Sequence, residues 1–234
     1  MPVWRKLWPG WNRWFASKGE AVDIVRSNVE IPAGNIELPG TLTAPVVAHG
    51  MVLFVHGSGS SRFSPRNNFV SGILHQEGIA TLLFDLLTED EDADAHARFD
   101  IPLLADRLLA ATEWVASRPD FANLPLGYFG ASTGAAAALM AAAISSHRIA
   151  AIVSRGGRPD LAGKKHLEAV TAPTLLIVGG NDDVVIELNR RALALMRGEN
   201  ELVIVPGATH LFEEPGTLEQ VAKLAAGWFS RRFS

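Results

Sequence analysis

Cysteine is absent from the 234-residue chain. Its absence excludes disulfide scaffolds, thiolate zinc sites, iron–sulfur clusters and cysteine nucleophiles. An excess of basic residues is absent too, since 21 lysines and arginines stand against 25 aspartates and glutamates and give a net charge of −4. A chain without a basic surface is a poor candidate for nucleic-acid binding.

Long hydrophobic runs are also missing. The longest, Ala135–Ile144, has about half the length that a helix needs to span a bilayer. The N-terminus, MPVWRKLWPGWNRWF, carries charges among its aromatic residues and lacks the apolar stretch of a secretory signal. With 48% hydrophobic and 20% charged residues, the composition is that of a globular protein. We therefore expect a soluble cytoplasmic protein.

Short apolar runs alternate with helical patterns along most of the chain. This alternation indicates βαβ units, and therefore a mostly parallel sheet with helices on both faces. The predicted strands are 21–31, 36–42, 51–55, 80–84, 126–129, 150–153, 174–178 and 202–205, and the predicted helices are 65–78, 101–116, 132–146, 160–169, 186–196 and 218–229. We predict one α/β domain of about eight strands over residues 21–234, preceded by a Trp-rich arm at 1–20.

The arm carries four tryptophans with basic residues between them: Trp4, Trp8, Trp11 and Trp14. They share one helical face by spacing, although Pro9 and Gly10 interrupt a regular helix. Three interpretations are open. The arm folds onto the domain's own surface, contacts a second subunit in a homodimer, or lies at a membrane interface, which is the least favoured of the three.

The segment Gly130-Ala131-Ser132-Thr133-Gly134 follows an apolar strand and leads into a helix of small residues. This G-x-S-x-G pattern in a strand–turn–helix context is typical of a nucleophile elbow, in which the serine occupies a strained turn. The helix N-terminus then directs free N–H groups at a developing oxyanion. A plain helix cap by Ser132 is the alternative interpretation.

A serine nucleophile needs a base and an acid that orients the base. Asp182 follows the strand 174–178, and His210 follows the strand 202–205. Because active sites of parallel sheets lie at the carboxyl ends of the strands, Ser132, Asp182 and His210 are the predicted triad. Asp183 is a rival for the acid. The predicted oxyanion donors are the backbone N–H groups of Thr133 and of Ser58, in the loop after the strand 51–55.

The segments HGSGSSR, GYFGASTG, IVGGNDDVV and GATHLF together resemble the α/β-hydrolase superfamily, specifically its dienelactone-hydrolase-like branch. Within it they are most similar to the form related to hydrolases fused to a phosphoribosyltransferase domain. The resemblance runs from about Val22 to the C-terminus. It implies an α/β-hydrolase fold and a Ser–His–Asp esterase, with Ser132, Asp182 and His210 as the triad.

Two features narrow what the resemblance implies. Dienelactone hydrolases use a cysteine nucleophile, whereas this chain has Ser132 and no cysteine. Only about 20 residues follow the strand 150–153 before Pro173, so we expect no large cap domain.

We predict a carboxylesterase that cleaves small esters through an acyl-enzyme, without metal or organic cofactor. A thioesterase or acyltransferase with the same triad, and a catalytically silent ligand-binding homologue, are the alternatives.

Arginines follow two of the predicted strands near the expected site. Arg62 and Arg66 lie after residues 56–59, which we call the oxyanion loop. Arg155 and Arg158 follow the strand 150–153. Arginine binds carboxylate or phosphate in a fixed two-pronged geometry. We therefore predict that Arg62 or Arg155 binds an anionic group of the substrate, the alternative being that these arginines brace loops. The acidic run Glu89–Asp94 is interpreted as a solvated loop.

Overall fold

The computed structural model describes residues 11–13 and 23–233. Its strands are β1 (Trp11–Arg13), β2 (Asp23–Ala33), β3 (Ile36–Pro45), β4 (Gly50–Val55), β5 (Ile79–Phe84), β6 (Leu126–Ala131), β7 (Ile149–Arg155), β8 (Thr174–Gly179) and β9 (Asn200–Val205). Its helices are α1 (Pro65–Gln76), α2 (Glu89–Ala93), α3 (Ile101–Ala116), α4 (Thr133–Ile144), α5 (Gly163–Ala169), α6 (Asp183–Leu193) and α7 (Thr217–Ser230).

One sheet runs through the molecule in the order β1-β2-β3-β5-β4-β6-β7-β8-β9. The strands from β4 to β9 pair in parallel. The three at the start of the chain pair antiparallel, and β2 and β3 form a hairpin whose turn contains Gly34 at φ +70°. All eight predicted strands are present, so the predicted mostly parallel sheet is confirmed. β1 is an additional short strand.

Helices cover both faces of the sheet. On one face, α1 and α7 pack over a core that includes Phe54, Phe129 and Phe229. On the other face, α3, α4 and α5 pack over a second core around Leu53 and Tyr128. Each residue of β4, β5, β6 and β8 is buried, as expected for parallel strands covered on both sides. Between β7 and β8 lie a short 3-10 turn and α5, with no cap domain.

Three predicted elements differ in detail. The acidic run is not a loop, because Thr88 caps it as the helix α2 in a reciprocal capping box with Glu91. The helix predicted at 160–169 is a 3-10 turn followed by α5, interrupted at Gly163 with φ +77°. Helix α6 begins and ends three residues earlier than predicted, with Asp182 at its N-cap position.

The N-terminal arm lies outside the described residues apart from 11–13, which pair with 23–25 of β2. The three interpretations of its tryptophans therefore stay predictions. In the part of the chain that the structure describes, no helix combines the length and apolar character needed to cross a membrane.

The order of the strands determines where a site can form. The chain adds β5 on one side of β4 and then returns to add β6 on the other. At such a reversal the loops after the two neighbouring strands diverge and leave a crevice at their carboxyl ends. The loop after β4 carries Ser58, and the turn after β6 carries Ser132.

The fold lowers the pKa of His75 far enough to affect stability at acidic pH. His75 on α1 makes a 2.8 Å hydrogen bond to the Thr81 hydroxyl, and burial, helped by Arg26, lowers its pKa to about 4. The unfolded chain takes up this proton near the ordinary pKa of 6.5, so the unfolded state binds more protons between pH 6.5 and 4. The free energy of unfolding therefore falls as the pH is lowered through that window.

We predict that His75 contributes up to about 3 kcal/mol to this acid destabilisation. In His75→Gln, which keeps a polar group but no titration, the loss between pH 6.5 and 4 should shrink by that amount. Urea unfolding at several pH values measures it, with the exposed His96→Gln as the matched control. An unchanged pH slope in His75→Gln contradicts the prediction.

Candidate active site

Ser132 occupies a strained turn between β6 and α4. Its backbone has φ 51° and ψ −121°, a region that non-glycine residues rarely adopt. The turn is tied to β7, because the Ser132 N–H donates to the Arg155 carbonyl at 3.3 Å and the Ser132 carbonyl accepts from the Arg158 N–H at 3.0 Å. Although Ser132 stands at the N-cap position, its side chain makes no capping hydrogen bond. The hydroxyl therefore does not serve as a helix cap.

The glycines of the pentapeptide are required by close backbone contacts. A Cβ atom at Gly130 would lie 2.5 Å from the Ala135 Cα, and one at Gly134 would lie 2.1 Å from the Val55 carbonyl oxygen. Both clashes are with backbone, which cannot rotate away. Strand, turn and helix thus approach as closely as a nucleophile elbow requires.

Asp182 and His210 are in direct contact. The His210 Nδ1 lies 2.7 Å from the Asp182 Oδ2. The Asp182 side chain is 16% exposed and that of His210 is 39% exposed, so the imidazole is open to solvent on one side. Asp183, the rival acid, is exposed and opens helix α6. The contact leaves Nε2 of the imidazole free to face a reacting group.

Backbone hydrogen bonds join the loops that carry these two residues. The Gly180 N–H donates to Val205 and the Asn181 N–H donates to Ala208. A Cβ atom at Gly179 would lie 2.4 Å from the Ala208 carbonyl oxygen, so only glycine permits this approach. Asp182 and His210 are therefore held together by their main chains as well as by their side chains.

A carboxylate that sequence reasoning missed fixes the histidine loop. Glu214 accepts hydrogen bonds from the Thr209 N–H at 3.1 Å and the Thr209 hydroxyl at 2.6 Å. Its side-chain hydrogen bond from Thr209 is the main cause of a lowered Glu214 pKa. The signal in the sequence was a threonine directly before the histidine and a carboxylate four residues after it.

The loop that carries His210 and the turn that carries Ser132 come close together at Gly156. This residue follows Arg155, whose carbonyl accepts from Ser132, and a Cβ atom placed on it would lie 3.6 Å from the His210 Cε1. Ser132, Asp182 and His210, which the sequence places 78 positions apart at the extremes, thus converge at one edge of the sheet. An imidazole held at Nδ1 by a carboxylate is the group that takes the proton of a serine nucleophile in such sites.

The two predicted oxyanion donors are adjacent, but one of them is engaged. The Ser58 N–H donates to the Thr133 hydroxyl oxygen at 3.0 Å. The backbone N–H of Thr133 lies at the first position of α4, where a helix leaves N–H groups without intrahelical partners. The sequence pattern indicates which loops supply the donors, but it does not show a hydrogen bond across 75 residues.

His56 braces the oxyanion loop. Its Nδ1 lies 3.0 Å from the Gly57 carbonyl oxygen, and its Nε2 lies 3.1 Å from the Leu86 N–H that donates to it. Burial lowers the pKa of His56, which matches a neutral ring that donates from Nδ1 and accepts at Nε2. His56 therefore links the loop after β4 to the loop after β5.

Three of the four arginines near the site are paired. Arg62 forms an ion pair with Asp85, which also accepts the Arg62 N–H at 2.6 Å. Arg158 pairs with Asp160 through two hydrogen bonds of 2.8 and 2.9 Å. Arg66 pairs with Glu213 at 3.1 Å on the surface. The pairs made by Arg62 and Arg158 are those of arginines that brace loops, which is the alternative to anion binding.

Arg155, the fourth arginine near the site, has a different environment from the other three. Its side chain is buried, with 8% of the residue exposed, and its Nε and Nη1 have no hydrogen-bond partner among the described residues. Burial, together with the nearby charge of Arg66, lowers the pKa of Arg155 to about 10, so the guanidinium remains charged at neutral pH. It stands at the carboxyl end of β7, directly beside Ala131 in the register of the sheet.

Other features of the described chain carry less chemistry. Within residues 23–233 no group of three histidine or carboxylate side chains is placed to hold a metal ion. A cavity of about 370 Å³ lies between the segment 44–48 and the segment 118–124. These segments precede β4 and β6, so the cavity is at the amino ends of the strands, on the edge of the sheet opposite to Ser132.

Comparison with known proteins agrees with the fold. No family model matches the chain. A crystal structure of dienelactone hydrolase from Anabaena variabilis is 52% identical, with a TM-score of 0.87, and the match covers 89% of this chain and 98% of that one. A dienelactone-hydrolase-like promiscuous phosphotriesterase from metagenomic libraries shares the fold, with a TM-score of 0.75 at 15% identity over 90% of this chain and 99% of that one.

A putative phosphoribosyl transferase of Mycobacterium tuberculosis is 60% identical over 201 residues, or 86% of this chain. The chain spans 45% of the length of that relative. The Anabaena variabilis structure, in contrast, is matched over nearly its whole length. The chain therefore belongs to the dienelactone hydrolase family of α/β-hydrolases.

Proposed function

We propose that the protein is a serine hydrolase that cleaves small carboxylic esters through Ser132, His210 and Asp182. The observation that carries the proposal is the 2.7 Å contact between His210 Nδ1 and Asp182 Oδ2, at the sheet edge where Ser132 occupies a strained elbow. An imidazole held at Nδ1 by a carboxylate has its Nε2 available as a base. The name dienelactone hydrolase in the related structure fits the same reaction class, cleavage of an ester bond.

In the acylation step, the Ser132 oxygen attacks the ester carbonyl carbon while His210 Nε2 takes the hydroxyl proton. The carbonyl oxygen becomes an oxyanion, stabilised by the N–H of Thr133 and the polar groups of the Ser58 loop. Collapse of this intermediate breaks the bond to the alcohol oxygen, which receives the proton from His210. The products are the free alcohol and an acyl-Ser132 ester.

In the second step, water attacks the acyl-Ser132 carbonyl while His210 takes a proton from it. The second tetrahedral intermediate collapses, the Ser132 oxygen regains the proton, and a carboxylic acid leaves. Asp182 keeps the imidazole in the required tautomer and stabilises its charged form in both steps. No redox or metal chemistry enters this sequence of steps.

The triad assignment predicts a characteristic pattern of losses. Ser132→Ala and His210→Ala should each lower kcat by about a thousand-fold or more, because members of a triad act as a unit. Asp182→Asn should also lose roughly a thousand-fold through the wrong imidazole tautomer. Turnover of p-nitrophenyl acetate measures the rates, and a fluorophosphonate probe reports the activated serine independently of the substrate.

Asp183→Asn is the matched control, since it makes the same change one position away on an exposed side chain. It should stay within a few-fold of the wild type. If Asp183→Asn loses the activity and Asp182→Asn keeps it, the assignment of the acid is wrong. A wild-type protein that the probe does not label contradicts the proposed function and favours a silent homologue.

The surroundings of the site favour small substrates. No cap domain separates β7 from β8, so little apolar surface encloses a long acyl chain. Exposed apolar side chains stand on two of the loops at this edge of the sheet, at Phe63 after β4 and Leu211 after His210. These side chains offer contact area for a short acyl or alkyl group.

We therefore predict that kcat/KM on p-nitrophenyl esters is highest for acyl chains of two to about six carbons. Each further methylene that stays in water gains none of the roughly 0.8 kcal/mol that burial would provide. A series from acetate to dodecanoate measures the preference. A maximum at decanoate or beyond would show that the site encloses long chains.

The buried Arg155 points to an anionic substrate. An unpaired buried charge is strongly unfavourable unless a partner arrives, and Arg155 lies beside the elbow with two unpartnered nitrogens. Arg62, the other predicted anion ligand, is already paired with Asp85. We therefore assign to Arg155 the binding of a carboxylate or other anionic group on the ester.

Arg155→Met tests this assignment. The ratio of kcat/KM for a dicarboxylic acid monoester to that for its neutral diester should fall about ten- to a hundred-fold, the value of a charge-assisted contact of 1.5–3 kcal/mol. The variant should be at least as stable to urea as the wild type, because it removes an unpaired buried charge.

Arg158→Met is the control, since Arg158 is paired with Asp160 and lies three residues further along the chain. It should leave the substrate ratio unchanged. If Arg155→Met unfolds more easily and keeps the ratio, Arg155 is structural and the substrate need not be charged.

A further inference from the structure

We propose that the side-chain hydroxyl of Thr133 is itself an oxyanion donor, which relays the Ser58 N–H to the reacting carbonyl. The inference rests on the proposed serine-hydrolase function and adds a catalytic group to it. It changes the role of Ser58, whose N–H the sequence predicts to contact the oxyanion directly. In the structure that N–H donates to the Thr133 hydroxyl instead.

The first argument is the hydrogen bond itself. The Ser58 N–H donates to the Thr133 Oγ1 at 3.0 Å, so the hydroxyl lies between the oxyanion loop and the first turn of α4. A Cβ atom at Gly57 would lie 3.0 Å from the Ser132 Cβ and 3.7 Å from its Oγ, which shows how near this loop is to the nucleophile. The Thr133 hydroxyl therefore lies against the loop that carries the second predicted donor, and that loop is close to Ser132.

The second argument concerns the hydroxyl proton. A threonine hydroxyl has one proton to donate besides the lone pairs that accept. Thr133 is 3% exposed, and in the described chain its only side-chain hydrogen bond is the one it accepts from Ser58. At the first position of α4 it has no carbonyl of a preceding helical turn to bond, unlike Thr112, which bonds Leu108. The proton is thus left for an acceptor in the crevice.

The third argument is chemical. An O–H whose oxygen accepts a hydrogen bond is polarised and becomes a better donor. The carbonyl oxygen of a bound ester is neutral, and it becomes an oxyanion only when Ser132 attacks. A buried hydroxyl directed at that oxygen therefore stabilises the transition state more than the bound ester. The backbone N–H of Thr133 and its hydroxyl would supply two donors from one residue.

A contrary role for Thr133 predicts the opposite outcome. If the hydroxyl only occupies the Ser58 N–H and turns away when substrate binds, it competes with the oxyanion. Thr133→Val, which is nearly isosteric, would then free the N–H and leave kcat unchanged or raise it. The sign of the change in this variant separates a donor from a competitor.

We expect Thr133→Val to lower kcat for p-nitrophenyl acetate by about ten- to a hundred-fold, with KM within about twofold, as for the loss of one oxyanion-hole donor. Thr133→Ser keeps a hydroxyl and should restore most of the rate. Inhibition by a boronic acid, which forms a tetrahedral adduct on the serine, should weaken in Thr133→Val in proportion to kcat.

Thr174→Val is the control for loss of a buried threonine hydroxyl. Its hydroxyl donates to the Ala172 carbonyl at 3.0 Å, at the start of β8 and at the opposite edge of the sheet, so kcat per folded protein should not change. Thermal unfolding of all three variants verifies that each is folded at the assay temperature.

Two results would overturn the inference while leaving the proposed function intact. The first is a Thr133→Val enzyme with the kcat of the wild type. The second is a Thr133→Ser enzyme with a kcat as low as that of Thr133→Val, which would assign the effect to the methyl group and not to the hydroxyl. A wild-type enzyme without Ser132-dependent turnover and probe labelling overturns the proposed function itself, and the role of Thr133 with it.

Discussion

The site depends on the close approach of helix α4 to the ends of β4 and β6. Gly134 lies against the main chain of Val55, and Gly130 lies against Ala135, with no space for a Cβ atom at either glycine. Because backbone meets backbone, Ser132 is held at a positive φ and cannot relax into an ordinary turn. The same contact brings Thr133 within a hydrogen bond of the loop after β4. One steric constraint thus positions Ser132 and the loop that carries Ser58 together.

Asp182 and His210 are positioned differently, by hydrogen bonds between two irregular loops. The main chains after β8 and β9 are joined at Gly180 and Asn181, and Glu214 holds Thr209 from the other side. Phe212, two residues after His210, is buried with φ 56°. A strained non-glycine residue persists only where its surroundings fix it, and here the buried ring fixes the loop. His210 therefore depends on a tightly constrained loop rather than on a helix.

The sequence predicts the strands correctly, and it indicates a candidate triad, because both predictions use local rules. Apolar runs mark the buried strands, and Ser132, Asp182 and His210 each stand within a few residues of a strand end. Features that arise between distant segments were not predictable. Nothing near Ser58 indicates that its N–H bonds a hydroxyl 75 residues later, or that Asp85 pairs with Arg62. Helix α2 was missed because its acidic run reads as solvated, although Thr88 and Glu91 form a local capping signal.

Two polar side chains at the carboxyl edge of the sheet lower the free energy of unfolding of the protein. Within residues 23–233, Arg155 is buried without a partner for two of its nitrogens, and the Thr133 hydroxyl accepts a hydrogen bond but donates none. A fold selected for stability alone would favour apolar side chains of similar size at both positions. Each of these residues is within a backbone hydrogen bond or one peptide bond of Ser132. Uncompensated donors concentrated around one strained serine are best explained by a partner that arrives with the substrate, a carbonyl oxygen for Thr133 and an anionic group for Arg155.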